Sequence, residues 1–397
     1  MKTNEIREGL GTFLISSPRT NDNIPRKSDE VFFNPHQEIN RDFSVLTLRA
    51  YSKINKRPNL TVCEPLCGSG IRSCRYALET PSSLIYCNDV NSNAVEIARK
   101  NIERLPNNLA EKIHLFNTEC NEFLQKLYGN HIIFDFIDID PFGTPIPFVQ
   151  SSTKLINVSG LLAFTATDLA SLVGLYPRAL YAKYSVGHFD ARIGNIHEIA
   201  ARALITGIQH VGLTLNQSLI PILTFYHRHF IRTFLIRKRG VDQTLNLTGF
   251  INYCPDCQTR FTKILGEKNL ICPLCNKSVN LGLGPLYLGT IHEKEYLVAM
   301  LQDEHLHKLG TGRKLSKTIP LMVEETSVDI PWSFDIPKLA KKIGVPVPPL
   351  NQITKILNEK GFKCHKTHFS GTSLKTNADE TELLSIIHSL KLKQAST

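Results

Sequence analysis

The chain has 397 residues, enough for two or three domains and at least one large core. An apolar fraction of 42% and a charged fraction of 21% exclude disorder and fibrous repeats. The formal net charge of +10 favours a polyanionic partner, with nucleic acid as the first candidate. No stretch approaches the ~20 apolar residues of a membrane span, and the start of the chain lacks a signal-peptide core. We therefore expect a soluble, cytoplasmic protein with no membrane partner.

Five short apolar runs, separated by helix-length segments, predict a parallel sheet with helices on both faces. These runs begin at Asn59 and read NLTVC, SLIYCNDV, KIHLFN, HIIFDFIDID and GLLAFTATD. Apolar residues from Ile196 to Val211 recur at helical spacing, and SLIPILTFYHRHFIRTFLIRK then reads as two further strands. The fold class is α/β, and this first domain is expected to span residues 1–245.

A smaller α+β domain is expected from 246 to 397. It begins with two cysteine pairs, at 254–275, and ends at 330–395 in a helix, a proline-rich turn, a second helix and a short hairpin, a pattern typical of a winged helix. Residues 338–393 hold ten lysines and four acidic residues, so the excess positive charge is concentrated there. We expect this domain to bind nucleic acid.

The turn after the first predicted strand begins at Glu64 and reads EPLCGSGIR. Its glycines, Gly68 among them, let the backbone approach a ligand at the start of a helix. Only two glycines are present, so the three-glycine dinucleotide fingerprint is absent. An acidic residue before the turn would repel a pyrophosphate but suits a cationic ligand. The turn therefore favours S-adenosylmethionine over NAD.

Acidic residues also follow the next two strands. Asp89 lies nineteen residues after Gly70, the distance at which a carboxylate can bind both ribose hydroxyls. Glu119 could accept a hydrogen bond from an adenine amino group, and Cys120 could present its backbone amide. Either acid taken singly could equally be a helix N-cap or a surface loop residue. Their occurrence at successive strand ends favours a cofactor site.

The fourth strand ends in DIDPFG, which brings a carboxylate, a proline-fixed turn and an aromatic ring to the sheet edge. The lone pair of an aryl amine is delocalised into its ring, so methyl transfer to it needs an acceptor for its hydrogens. Asp140 can be this acceptor and can later take the proton. Phe142 can stack on a purine that has swung out of its helix. The alternatives are an ordinary turn and a core aromatic.

These segments resemble the tRNA (guanine-26 N2)-dimethyltransferases, in particular archaeal-like members with a zinc-ribbon cysteine quartet. The matching strings are VFFNPHQEINRDFSVL, CEPLCGSGIRSCRYALETP, CNDVNSNAVEIARKNI, DIDPFGTPIPF, LLAFTATDLASLVG, YPRALYAKYS, IHEIAARALI and GPLYLG. The resemblance implies a Rossmann-like class I S-adenosylmethionine-dependent methyltransferase sheet and a C-terminal tRNA-binding domain. It implies transfer of one or two methyl groups to N2 of guanine 26.

The resemblance also implies roles for individual residues. Asp140 would be the catalytic acid, and Phe32 and Phe142 would flank the target guanine. The residues implied for the cofactor site are Arg41, Arg72, Asp89, Glu119 and Cys120.

The segment before the first strand of the sheet is expected to form a lid over cofactor and guanine. Asn34 and Pro35 fix an extended entry to a helix that carries Arg41. Asn34 could bond the guanine edge, or it could be an N-cap, and Arg41 could form a surface ion pair.

The two cysteine pairs have zinc-ribbon spacing. Cys254 and Cys257 are separated by fourteen residues from Cys272 and Cys275. Four thiolates complete the shell of one Zn2+, so we expect a structural metal.

Two alternative functions stay open from the residues alone. One keeps the chemistry and changes the substrate to ribosomal RNA or DNA. The other is a non-catalytic zinc-ribbon RNA-binding protein on a degenerate methyltransferase scaffold. The basic and aromatic string from Phe225 to Phe234 suits either an RNA surface or a hairpin with one buried face. The protein is expected to be a monomer.

Overall fold

The structure is a computed structural model, which describes residues 3–16, 30–187, 193–267, 270–280 and 282–394. The strands are β1 Thr3–Glu8, β2 Gly11–Ser16, β3 Leu60–Glu64, β4 Ser82–Asn88, β5 Ile113–Phe116, β6 Phe134–Ile139, β7 Ile156–Ala166, β8 Gln217–His227, β9 Phe230–Arg239, β10 Thr248–Tyr253, β11 Arg260–Ile264, β12 Leu283–Tyr287, β13 Phe334–Asp335, β14 Cys364–Thr367 and β15 Ser370–Thr376. The helices are α1 Glu38–Ile54, α2 Ile71–Glu79, α3 Ser92–Glu103, α4 Asn107–Ala110, α5 Cys120–Gly129, α6 Ile146–Leu155, α7 Leu169–Leu172, α8 Pro177–Tyr184, α9 Ile196–Thr214, α10 Asp242–Leu245, α11 Lys294–Leu301, α12 Gly312–Glu325, α13 Ile336–Lys342, α14 Leu350–Glu359 and α15 Glu380–Gln394. Short 3-10 helices cover Pro35–Gln37 and Leu306–Lys308.

The chain packs as two compact units, each assembled from three segments. The first unit consists of Met1–Thr165, Phe234–Lys238 and Glu295–Ile319, and the second of Ala166–Thr233, Arg239–Lys294 and Pro320–Thr397. Both units draw on residues from either side of position 245. The division into domains 1–245 and 246–397 stays a prediction.

The main sheet has the strand order β5-β4-β3-β6-β7-β9-β8. β3 pairs in parallel with both β4 and β6, and β5 and β7 extend the parallel array outward. This is a doubly wound order, in which ligands bind beyond the carboxyl ends of the strands. The predicted Rossmann-like α/β sheet is confirmed.

Burial explains why the apolar runs form these strands. Every residue of β6 is buried, as expected for a central strand covered by helices on both faces. The predicted helix after the sheet is also confirmed as α9, which begins at Asn195, where the side chain caps the first turn by accepting from the amides of His197 and Glu198.

The second unit contains two smaller antiparallel sheets, in the orders β11-β10-β12 and β13-β15-β14. The predicted helix, turn, helix and hairpin near the C-terminus are confirmed as α13, α14 and the pair β14 and β15. Phe225, Phe230 and Arg232 are all buried, so the hairpin alternative describes the basic and aromatic string better than an RNA surface does. Within the described ranges, the helices lack the combination of length and apolar character that a bilayer crossing requires.

Candidate active site

Asp140 directly follows β6, and its side chain is 14% exposed. Its Oδ2 accepts hydrogen bonds from the guanidinium of Arg72 and, at 3.4 Å, from Asn40 Nδ2. The hydrogen bonds that Asp140 accepts from the described residues all reach Oδ2. One carboxylate oxygen is therefore anchored, and the other is available to accept from a ligand.

Arg72 is buried and joins three carboxylates that come from different strand ends. Its Nε lies 3.2 Å from Glu64 and its Nη1 lies 3.3 Å from Asp138, in addition to the ion pair with Asp140. Asn40 accepts from Nη1 at 3.0 Å. Burial acts to lower the pKa of Arg72, but Asp138 and Asp140 outweigh it, so the pKa rises above its ordinary value. Arg72 is thus a permanent charge that fixes the acceptor.

Glu64 is the last residue of β3 and is buried. Ser73 donates a 2.5 Å hydrogen bond to it. Burial raises the pKa of Glu64 to about 8, although Arg72 acts in the opposite direction. A cationic group bound beside Glu64 would stabilise the ionised carboxylate. The ionised carboxylate can then bind an amino group.

The glycine turn between β3 and α2 has the conformation that a ligand cradle needs. Gly68 and Gly70 have φ angles of 53° and 71°, in the left-handed region. A Cβ atom on Gly70 would lie 2.8 Å from the Cβ of Ala98, so helix packing requires glycine there. Open space lies where a Cβ of Gly68 would project. The turn therefore presents bare backbone to a ligand.

Asp89 lies beside this turn, at the end of β4. Its Oδ2 accepts from the amide of Gly68 at 2.8 Å, and its Oδ1 accepts from the amide of Asn91 at 2.9 Å. The adjacent Val90 is 65% exposed, and the sequence reasoning did not include it. The signal in the sequence that could have identified Val90 is a lone apolar residue directly after Asp89. Together the two residues offer hydrogen-bond acceptors and an apolar surface.

Glu119 caps α5, the helix that follows β5. Its Oε2 accepts from the amide of Glu122 at 3.0 Å, as in the N-cap alternative. The side chain remains exposed, and the cap occupies one oxygen. Cys120 is buried at the first position of α5, and burial raises the pKa of its thiol to about 12. The cysteine therefore offers its backbone rather than a thiolate.

Arg41 forms a buried ion pair. Its Nε and Nη2 each lie 2.6 Å from one oxygen of Glu8, a residue of β1. The structure therefore places the Arg41 guanidinium on Glu8 and not on the Asp140 cluster. Asn34 caps the short 3-10 helix by accepting from the amide of His36 at 2.9 Å.

Phe32 and Phe142 are brought together. Their ring centroids are 4.6 Å apart and their planes cross at 78°. Phe142 is 51% exposed and lies two residues after Asp140. An exposed ring next to an acceptor suits a flat aromatic amine.

Asn40 is a site residue that the sequence reasoning missed. It is buried on α1, and its Nδ2 donates to Gln37 at 2.7 Å and to Thr165 at 3.3 Å as well as to Asp140. Its Oδ1 accepts from Arg72. No spacing in the sequence could have identified it, because Asp140 and Thr165 lie 100 and 125 residues away along the chain.

The four predicted zinc ligands lie together in the second unit. The sulfurs of Cys254 and Cys275 are 3.6 Å apart, those of Cys257 and Cys272 are 3.4 Å apart, and all four lie within 4.8 Å of one another. Thiolates bound 2.3 Å from one zinc ion are separated by about 3.8 Å. The quartet therefore fits a tetrahedral Zn2+.

Comparisons with known proteins agree on one family. A family model described as N2,N2-dimethylguanosine tRNA methyltransferase matches residues 11–388. The chain is 32% identical over 388 residues to the tRNA (guanine(26)-N(2)/guanine(27)-N(2))-dimethyltransferase of Aquifex aeolicus, covering 96% of this chain and 94% of the relative. It is also 32% identical to the tRNA (guanine(26)-N(2))-dimethyltransferase of Methanobrevibacter smithii, over 91% of this chain and 92% of the relative. The structure of Trm1 from Pyrococcus horikoshii with S-adenosyl-L-methionine superimposes with a TM-score of 0.81 and 26% identity, covering 97% of this chain and 99% of that one.

Proposed function

The chain belongs to the N2,N2-dimethylguanosine tRNA methyltransferase family, and we propose that it transfers one or two methyl groups from S-adenosylmethionine to N2 of guanine 26 in tRNA. The observation that carries the proposal is Asp140, anchored through one oxygen at the carboxyl end of β6 beside an exposed ring. That arrangement supplies what an exocyclic amine needs, namely a fixed acceptor and a stacking surface.

The cofactor site is proposed along the ends of β3, β4 and β5. S-adenosylmethionine, when bound, supplies a methyl carbon on a positively charged sulfur. Asp89 would bind the ribose hydroxyls and Glu64 would bind the amino group. Gly68 and Cys120 would offer backbone, and Glu119 would accept from the adenine amino group through its uncapped oxygen. Support for this comes from the open space over the glycine turn and from the position of each acid at a strand end.

Arg41 and Arg72 were both expected to line the cofactor site. Arg72 is proposed instead as a positioning residue, because it bonds the acceptor and Glu64 at once. A cofactor contact by Arg41 would require its bidentate pair with Glu8 to open, and its proposed role is to tie β1 to α1.

Asp140 is proposed as the catalytic acceptor. Its Oδ1 would accept an N2–H of the guanine and draw the nitrogen toward pyramidal geometry, which would withdraw its lone pair from conjugation with the ring. The lone pair would form the new nitrogen–carbon bond while the methyl carbon's bond to sulfur breaks and leaves a neutral thioether. The nitrogen would then lose one proton, which Asp140 can take and pass to water. For the second transfer, the monomethylated nitrogen rotates so that its remaining hydrogen points at Oδ1. Phe32 and Phe142 would hold the base in the orientation that points its N2–H at Oδ1 of Asp140.

The second unit is proposed to bind the tRNA backbone. Not all of its C-terminal lysines are free for this, because Lys342 and Lys360 form ion pairs with acidic residues of α15 and Lys375 is buried against Glu198. The exposed C-terminal lysines with no ion pair to another described residue are Lys338, Lys341, Lys363 and Lys391. The zinc would be structural, and the protein is proposed to be a cytoplasmic monomer.

Nucleoside mass spectrometry tests this function. The purified protein is incubated with labelled cofactor and an unmodified tRNA transcript, with a transcript in which guanine 26 is replaced by adenine, and with ribosomal RNA and DNA. We expect N2-methyl- and N2,N2-dimethylguanosine only from tRNA that carries guanine 26. Methylation that persists in the substituted transcript would assign a neighbouring guanine, and transfer to ribosomal RNA or DNA alone would refute the proposal.

A further inference from the structure

A second cluster of potential metal ligands lies in the second unit, outside both the active site and the cysteine quartet. His292 follows β12, Glu325 is the last residue of α12, and His368 lies in the turn between β14 and β15. His292 and Glu325 are buried, and the side chain of His368 is 1% exposed. The methyl-transfer mechanism uses none of the three.

The polar atoms of this cluster are incompletely paired. Glu325 Oε1 accepts from the amide of His368 at 2.6 Å and lies 2.7 Å from Nδ1 of the same residue. Glu325 Oε2 and the Nε2 atoms of both imidazole rings are buried without a hydrogen-bond partner among the described residues. Buried polar atoms are normally paired, so this group of unpaired nitrogen and oxygen atoms is open to a ligand.

We propose that His292, Glu325 and His368 bind one divalent cation of the zinc class. Each residue offers one ligand atom, and the three atoms lie within 4.8 Å of one another. Ligands 2.0–2.1 Å from a zinc ion are about 3.4 Å apart, so modest rotation of the imidazole rings brings the set onto one ion.

The surroundings of the cluster accommodate a cation. A cavity of about 20 Å³ adjoins His292 and Glu325, enough for one ion or one water molecule. Arg202 and Lys375 also line it, and both donate to Glu198, which offsets one of their two positive charges.

One further contact bears on the ring of His292. The amide of Thr224 lies 3.5 Å from its Nδ1, at the long limit of a hydrogen bond. A contact of that length does not fix the tautomer of the ring, so Nε2 can carry the lone pair that a metal needs.

Such an ion would join three segments that are distant in sequence. Glu325 and His368 are 43 residues apart, and His292 precedes both. The three protein ligands leave a fourth position, which water would fill. The ion would therefore tie the hairpin of β14 and β15 to α12 and to the segment after β12.

Metal counting tests the proposal. The full chain, free of any polyhistidine tag, is saturated with Zn2+, dialysed and analysed by inductively coupled plasma mass spectrometry. We expect two zinc ions per chain in the wild type and one in both His292→Gln and Glu325→Gln. His365→Gln is the matched control, because His365 forms a more exposed pair with Glu324 at 3.7 Å; it should keep two.

Zinc X-ray absorption of the wild type gives a second measurement that needs no variant. We expect a sulfur shell at about 2.3 Å and a nitrogen and oxygen shell at 2.0–2.1 Å. One zinc ion per wild-type chain with sulfur ligands only would overturn the proposal and leave a hydrogen-bonded histidine and glutamate pair. Retention of two ions in both cluster variants would overturn it as well.

Discussion

Replacing Asp140 with alanine removes the proposed acceptor and spares most of the network around it. Arg72 keeps its ion pairs with Glu64 and Asp138. The loss of one partner of a charged, mostly buried contact costs about 1–3 kcal/mol in free energy of unfolding, so the variant is expected to fold.

The expected effect on catalysis is much larger than the effect on binding. Loss of a positioned acceptor and base lowers the rate by about 10²–10⁴-fold, which corresponds to roughly 3–5 kcal/mol of activation free energy. Asp89 and Glu64, the proposed contacts to ribose and amino group, remain in place. The dissociation constant for S-adenosylmethionine should therefore change by less than about 3-fold, a difference well below 1.4 kcal/mol.

Single-turnover methyl transfer to tRNA measures the rate, and calorimetric titration measures cofactor affinity. Asp135→Ala is the matched control: it lies on the same strand and pairs with Arg57, but at the opposite end, ~17 Å from Asp140. The control should transfer methyl groups at the wild-type rate once its fold is verified. Wild-type turnover by Asp140→Ala, or equal loss of affinity and rate, would refute the assignment.

Three further predictions concern the base, the metal and the acid response. Phe142→Ala should lower kcat/KM for tRNA by about 5–150-fold, the equivalent of 1–3 kcal/mol of stacking, with an unchanged melting temperature because the ring is half exposed; unaltered kinetics would contradict this. Cys257→Ser should lose the quartet's zinc and lower the melting temperature, measured by calorimetry, while cofactor titration still shows binding; loss of cofactor binding would contradict a purely structural metal. Burial acts to raise the pKa of Glu8, but Arg41 and Arg75 lower it to about 2. The ionised side chain therefore contributes about 3 kcal/mol to the free energy of unfolding above pH 4.5, and this contribution is lost as pH falls towards 2. Urea unfolding should show that Glu8→Gln flattens this slope, and parallel wild-type and variant curves would refute it.

The sheet could be predicted because the apolar pattern of its strands in the sequence matches their burial in the folded protein. A strand such as β6, buried along its whole length, is mainly apolar, and helix-length segments between such strands favour parallel crossovers. The same topology gathers the strand ends at one edge, which is why Glu64, Asp89 and Asp140 could be chosen from their positions alone.

Contacts between distant segments could not be predicted in the same way. Arg41 lies 33 residues from Glu8, and nothing in the short strand β1 indicates that it would supply the partner. The role of Arg72 likewise depends on three carboxylates whose convergence is a property of the folded sheet. A buried arginine is recognisable in sequence only when its partners are already known.

The two clusters of potential metal ligands show the same contrast. Paired cysteines at fixed spacing form a knuckle locally, so the sequence alone indicates four ligands. The cluster of His292, Glu325 and His368 has no such spacing, because its members meet only after the segments that carry them have packed.

The net charge counted from the sequence overstates the positive charge that is free to bind tRNA. The lysine excess at the C-terminus includes Lys375, which is buried and neutralised by Glu198, and Lys342, which bonds Glu380. A buried, paired lysine releases no counterion from a phosphate backbone, so it adds nothing to the salt dependence of tRNA binding. The slope of tRNA affinity against salt concentration should therefore reflect the exposed set, with Lys338 and Lys341 on α13, and not the net charge of the sequence.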